Sequence, residues 1–224
     1  MPPAALPVVA DAPGLWRQVL RPAPQSDARP ALFLDRDGVV VEEVGYLHCK
    51  EDLRLIPGAA AMIAACNARR VPVILVTNQS GVGRGYYDWA EFAALQDALL
   101  ARLAAAGAGF HMVLTCAYHP AAKPPYAIAG HDWRKPGPGM LREAAQSLRL
   151  DLARAWIVGD AASDIEAGRN AGLAGGLHVL RGHGAAQRKA ALGLGNAAFQ
   201  VRTVKDIGGA EQLINCLAAS GDRQ

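Results

Sequence analysis

The chain has 224 residues, 51% of them hydrophobic, which is enough to bury one substantial core. Its 23 Lys and Arg against 20 Asp and Glu give a net charge of only +3, with the cations scattered along the chain, so no nucleic-acid partner is implied. Cys49, Cys66, Cys116 and Cys216 lie far apart without a CxxC pair, no apolar run approaches the ~20 residues of a membrane span, and no leader pattern opens the chain; a cytoplasmic protein without membrane contact is expected.

Residues 1–30 are rich in proline and read as an N-terminal extension, with a hint of a short helix over 14–20. Residues 31–220 read as one domain. Ala31, Leu32, Phe33 and Leu34 run without alternation into Asp35, the pattern of a strand buried on both faces. Asp35 and Asp37 then fall at its carboxyl end, and Gly38 permits a sharp turn. A polar loop over 42–55 contains Gly45 and Tyr46, and Pro57 and Gly58 open an alanine-rich helix to about Arg69.

A second buried strand over 71–76 runs into Thr77, Asn78, Gln79, Ser80 and Gly81. Phe92, Leu95, Leu99 and Leu103 mark the core face of a helix over 89–106, and residues 112–115 form a third strand. The stretch 116–133 is too long for a simple turn and reads as an insertion beside the other loops. Arg134, Lys135 and Pro136 precede a helix over 139–148; a strand over 156–158 ends in Gly159 and Asp160; a helix over 163–171 carries Asp164 in its first turn. Strands over 177–180 and 201–204 and a helix over 209–219 complete an α/β alternation. It predicts a doubly wound, mostly parallel sheet with no more than a minimal cap.

In such a sheet the loops after the strands share one edge, so Asp35, Asp37, Thr77, Asn78, Lys135, Asp160 and Asp164 can converge. Each alone has an ordinary explanation: a helix cap for Asp160, an exposed cation for Lys135, a turn former for Thr77. Together, carboxylates with a lysine and a hydroxyl suit phosphoryl transfer, in which a cation and donors offset charge on the transferring group.

The ordered pieces DRDG (35–38), VTNQSG (76–81), RKP (134–136) and GDAASD (159–164) resemble the haloacid dehalogenase (HAD) superfamily of aspartate-dependent phosphatases, over about 31–180. Within it, DRDG, the Gly45-Tyr46 pair, VTNQSGVGRG and RKPGPGM are similar to the branch that includes heptose-bisphosphate and histidinol-phosphate phosphatases.

The resemblance implies a small phosphate ester as substrate, Asp35 as nucleophile and Asp37 as acid/base. It also implies Mg²⁺ held by Asp35, the Asp37 backbone carbonyl and Asp160, with Thr77 and Lys135 steadying the phosphoryl oxygens. Substrate contacts would come from Glu43, Gly45, Tyr46, Asn78, Gln79, Ser80 and Arg134. Where the family places a lysine after the metal-binding aspartate, this chain has Ala161. Asp164 is expected behind Lys135 or a metal-bound water.

Many relatives in that branch also bind zinc through a Cys-x-His pair and a later Cys-x-Cys. Here the stretch offers Cys116, His119, His131 and Asp132, and structural zinc is not expected. A monomer is expected. Competing readings are a phospho-acceptor switch protein, against which Asp37 supplies an acid/base, and a binding protein with a decayed site.

Overall fold

The computed structural model describes residues 6–22 and 28–218. Residues 1–5 and 23–27 of the expected extension, and 219–220 at the end of the expected domain, lie outside them. The described chain forms one eight-stranded sheet. Its centre is β3 (Leu32–Leu34), flanked by β4 (Val73–Asn78) on one side and β6 (Trp156–Gly159) on the other, both parallel to it. Beyond β4 lies β5 (Met112–Cys116), and beyond β6 lie β7 (Gly175–Val179) and β8 (Gln200–Val204), again parallel.

The central strands are apolar on both faces because both are covered. Leu32, Leu34, Leu75 and Val158 pack into one cluster, which includes buried residues of α1 (Ala59–Ala68), α3 (Trp89–Ala105) and α7 (Glu211–Ala218). Phe33, Ile74, Val76 and Ile157 pack into the other, with α4 (Gly139–Leu148), α5 (Ala162–Ala171) and α6 (Gly184–Leu192). Asp88 starts α3 with a capping box, its carboxylate accepting from Ala90 and Glu91 while Glu91 reaches back to the Asp88 amide.

The helix hinted at over 14–20 is instead a strand. β2 (Ala12–Val19) extends the sheet antiparallel to β5, and β1 (Val8–Val9) pairs antiparallel with β2 at the edge. Trp16 explains the preference: its ring packs against Trp89 and Phe92 of α3 at 5.6 and 5.1 Å between centroids, burial that a strand along β5 delivers. Two short helices also go beyond the expected elements, α2 (Ser80–Arg84) directly after β4 and α6 after β7. The final helix is preceded by a 3₁₀ turn (Ile207–Ala210), and the expected Ala219 lies outside the described residues. Among the described residues no helix is long and apolar enough to cross a membrane.

The connection from β5 crosses back over β3 to β6, so the strand order, though not the strand direction, reverses between β3 and β6. This is the crevice where doubly wound sheets bind ligands. Asp35 and Asp160 follow those two strands, and the Asp35 amide donates to Val158 O at 3.0 Å, which joins the two strand ends.

Candidate active site

A cleft of about 370 Å³ opens at this edge. It brings together Asp35, Asp37, Glu43, Gly45, Tyr46, Thr77, Asn78, Gln79, Ser80, Lys135, Asp160 and Asp164, residues drawn from the ends of β3, β4 and β6, the loop before α4 and the 42–55 loop. Arg134 does not line it: its Nη1 donates to Tyr118 O at 3.0 Å, within the long loop.

Lys135 is buried, and its Nζ donates to Asp35 Oδ1 at 2.7 Å and Val76 O at 2.9 Å, with Asp164 Oδ1 also at 2.7 Å. Burial alone would lower the lysine's pKa, but the Asp164 and Asp35 carboxylates outweigh it and hold the ammonium charged, above its usual range. The lysine's backbone is fixed by Asn78, whose Oδ1 accepts from Lys135 N and whose Nδ2 donates to Lys135 O, both at 3.1 Å. Asp164 in turn accepts from Ala161 N at 2.9 Å, closing the first turn of α5.

Asp37 is held differently. Arg36, 1% exposed, donates Nε to both Asp37 carboxylate oxygens at 3.1 Å, and its Nη2 reaches Gln79 Oε1 at 3.0 Å. Gln79 Nε2 donates to Asp37 Oδ2 and to Thr77 Oγ1, each at 2.9 Å, while Tyr87 OH donates to Gln79 Oε1. Burial opposes the Arg36 charge, yet Asp37, together with Tyr87 and Asp35, more than restores it. Asp37, Gln79 and Thr77 therefore form one connected network, with the Gln79 amide spending its hydrogen bonds on protein groups.

Asp35, Asp160 and Asp164 each offer a carboxylate oxygen, and these oxygens lie within 4.8 Å of one another, a hard-oxygen cluster of the kind a divalent cation takes. Burial first, then the charges of Asp35 and Asp164, pushes the Asp160 carboxyl up to about 8. A cation would relieve that repulsion, so the residues present fit one. Gly38, with φ of +76°, passes so close that a Cβ there would stand 2.5 Å from Asp160 Oδ2.

On the outer rim, Glu43 accepts from Gly45 N at 2.6 Å, and burial followed by nearby Asp37 raises its carboxyl. Tyr46 OH accepts from Arg84 Nη1 at 3.0 Å, and its ring lies edge-on to Tyr86.

Several residues at the site were not singled out in sequence. Arg36 stands between two selected aspartates just past the end of β3; its guanidinium, bonded to Asp37, lies 5.7 Å from the centroid of the Phe92 ring. His183 and Ser163 line the cleft. His183 follows β7, so the rule that ligands gather beyond strand carboxyl ends could have found it.

In the long loop, Cys116 is fully buried in the sheet, and burial pushes its thiol up to about 11. His119 and His131 accept backbone N–H groups at Nδ1, from Ala121 at 2.9 Å and Trp133 at 3.1 Å. Tyr118 is buried with its ring centroid 4.5 Å from that of His131, and Tyr126 and Trp133 pack against the core.

Comparison with known proteins agrees with this geometry. The HAD-hydrolase-like family model matches residues 132–207. The chain is 45% identical over 167 residues to a D-glycero-beta-D-manno-heptose-1,7-bisphosphate 7-phosphatase of Mesorhizobium japonicum, covering 75% of this chain and 77% of that one. It is 44% identical over 153 residues to a D-glycero-D-manno-heptose-1,7-bisphosphate 7-phosphatase of Thermosynechococcus vestitus, covering 66% and 77%. Among solved structures, a HAD-like protein of Mesorhizobium loti superposes with a TM-score of 0.85 at 37% identity, over 98% of this chain and 100% of that one. The D,D-heptose 1,7-bisphosphate phosphatase of B. bronchiseptica, complexed with magnesium and phosphate, does so at 0.70 and 33% identity, over 83% and 98%.

Proposed function

The chain belongs to the HAD-like phosphatases, and from that premise we propose that it removes the 7-phosphate of D-glycero-D-manno-heptose 1,7-bisphosphate in a Mg²⁺-dependent reaction through an aspartyl-phosphate on Asp35. The observation that carries the reading is the pairing at one strand end of Asp35, braced by Lys135, with Asp37, two residues on. The names of the relatives and the magnesium and phosphate of the B. bronchiseptica structure support it.

In this reading a carboxylate oxygen of Asp35 attacks phosphorus, and the bond from phosphorus to the sugar oxygen breaks. Asp37 gives its proton to the leaving oxygen, then takes one from the water that attacks the same phosphorus and frees Asp35. Lys135 and the Thr77 hydroxyl face the charge on the phosphoryl oxygens. Asp35, the Asp37 backbone carbonyl and Asp160 would hold the Mg²⁺, which supplies charge neutralisation for the transferring group. Splitting the displacement in two lets one acid/base serve both halves, and the Arg36–Gln79 network keeps Asp37 beside the nucleophile between them.

Glu43, Gly45, Tyr46 and Ser80 are the wall the sugar would meet, in a cavity of the size that suits one small ligand. Zinc has no part in this reading: the loop 116–133 is held by the packing of Tyr118, Tyr126 and Trp133.

The test is phosphate release by the purified protein with Mg²⁺ from the heptose bisphosphate, its monophosphates, histidinol phosphate and other small esters, with the product identified by phosphorus NMR. The reading expects the bisphosphate to be preferred and the 1-phosphate to remain. Preferred release of the 1-phosphate, or a better turnover of histidinol phosphate, would replace the substrate; no release from any ester would remove the function.

A further inference from the structure

His178, on β7, has no exposed surface, and the reaction gives it no task. Its Nε2 lies 2.8 Å from Gly184 O; a carbonyl can only accept, so Nε2 carries the proton and donates. Nδ1 has no partner among the described residues, so the imidazole is kept in the core for that single bond.

Gly184 ends a tight turn in which its N–H donates to Arg181 O at 2.8 Å, and a Cβ on it would stand 1.8 Å from Val179 O, so the turn is pressed against the end of β7. Gly182, with φ of +53°, leaves space for a side chain of the cleft instead: a Cβ there would stand 2.2 Å from Asp160 Oδ2. Between the two glycines, His183 N–H donates to Asp160 Oδ2 at 2.7 Å. At its start the turn is tied to the loop after β3 by the ion pair of Arg181 with Glu42.

We infer that His178 is a positioning residue for the cation site: by holding Gly184 O it seats the turn 181–184, whose His183 amide fixes the orientation of the Asp160 carboxylate beside Asp35 and Asp164. The inference rests on the reading above that Asp160 holds Mg²⁺. Groups one bond behind a metal ligand act in this way, by orienting it rather than by touching the ion.

The test is calorimetric titration of Mg²⁺ alone into the full-length protein, with thermal unfolding measured alongside. His178→Asn keeps a polar group but falls short of Gly184 O; His178→Gln keeps a donor of longer reach; Gly182→Ala pushes the turn away from Asp160 from the exposed side. H178N and G182A are expected to weaken Mg²⁺ binding by about tenfold or more, and H178Q to restore most of it, in line with the ~10–100-fold effects of such orienting groups on metal affinity. A role in packing alone would lower the unfolding temperature and leave the affinity of the folded protein unchanged. If H178N and G182A bind Mg²⁺ as the parent does, the inference is overturned; if H178N does not fold, an unchanged G182A overturns it. Failure of the parent itself to bind Mg²⁺ would overturn the functional reading, and this inference with it.

Discussion

Lys135 Nζ stands 2.7 Å from Asp35 Oδ1, although 100 positions separate the two residues in the chain. Lys135 also lies between Asp35 and Asp164, so one ammonium serves two buried carboxylates. Lys135→Met removes it and leaves both carboxylates without their cation. We expect turnover to fall by about 10²–10³-fold, as for other charge-stabilising donors, and stability at neutral pH to fall by about 3 kcal/mol, since breaking a buried pair strands its partner. The stability gap should narrow on acidification, because a stranded carboxylate can take up a proton. Urea unfolding at several pH values checks this, and a gap independent of pH would contradict it.

Asp37→Asn keeps the shape of the side chain but cannot move a proton. Turnover should fall by about 10²–10⁴-fold, while Mg²⁺ affinity stays near that of the parent, because the proposed contact there is the backbone carbonyl. Calorimetry beside steady-state kinetics separates the two; a large loss of Mg²⁺ affinity would count against the assignment.

Arg36 is buried against Phe92 and bonded to Asp37 and Gln79. Arg36→Met retains much of the volume and loses the charge, leaving Asp37 and Gln79 Oε1 short of a donor. The expected cost is about 3 kcal/mol, the scale for breaking a buried charge pair. Equilibrium unfolding measures it, and a change below about 1 kcal/mol, the size of an ordinary single hydrogen bond, would show that Asp37 is held by other means.

His111 bears on acid stability. Burial first, then the neighbouring Arg21, pushes its pKa down to about 4, and its Nδ1 accepts from Val73 N at 3.2 Å. An unfolded chain protonates the same ring at about 6.5. Between those values the unfolded state binds more protons, so stability should decline as pH falls from about 6.5 toward 4 and lose this contribution fully below the lower value. His111→Gln should flatten that part of the profile; the same slope in the variant would assign the loss elsewhere.

The parallel sheet and its polar edge were readable because buried parallel strands announce themselves as apolar runs, and polar residues just after them gather at one edge. Asp35, Lys135 and Asp160 could be aligned that way without knowing any contact. The strand around Trp16 was not readable, since proline and polar neighbours mask it and its burial against α3 is a tertiary contact 76 residues away for the paired Trp89 and Pro13. Gln79 illustrates a second limit: a polar residue beside a site looks like a ligand contact in sequence, whereas here its amide binds Asp37, Thr77, Arg36 and Tyr87. Nor could sequence reveal that His178, an isolated histidine in an apolar run, bonds to a turn at the cleft.

The most direct test of the account is chemical capture of the covalent step. The protein, parent and Asp37→Asn, is mixed with Mg²⁺ and its phosphate ester, quenched in acid and treated with borohydride, which reduces an acyl phosphate to an alcohol. The account predicts homoserine at position 35, found by peptide mass spectrometry, absent without substrate and absent in Asp35→Asn, which should also release no phosphate. Phosphate release by Asp35→Asn at the parent rate, or turnover in the parent with the Asp35 side chain never modified, would contradict it.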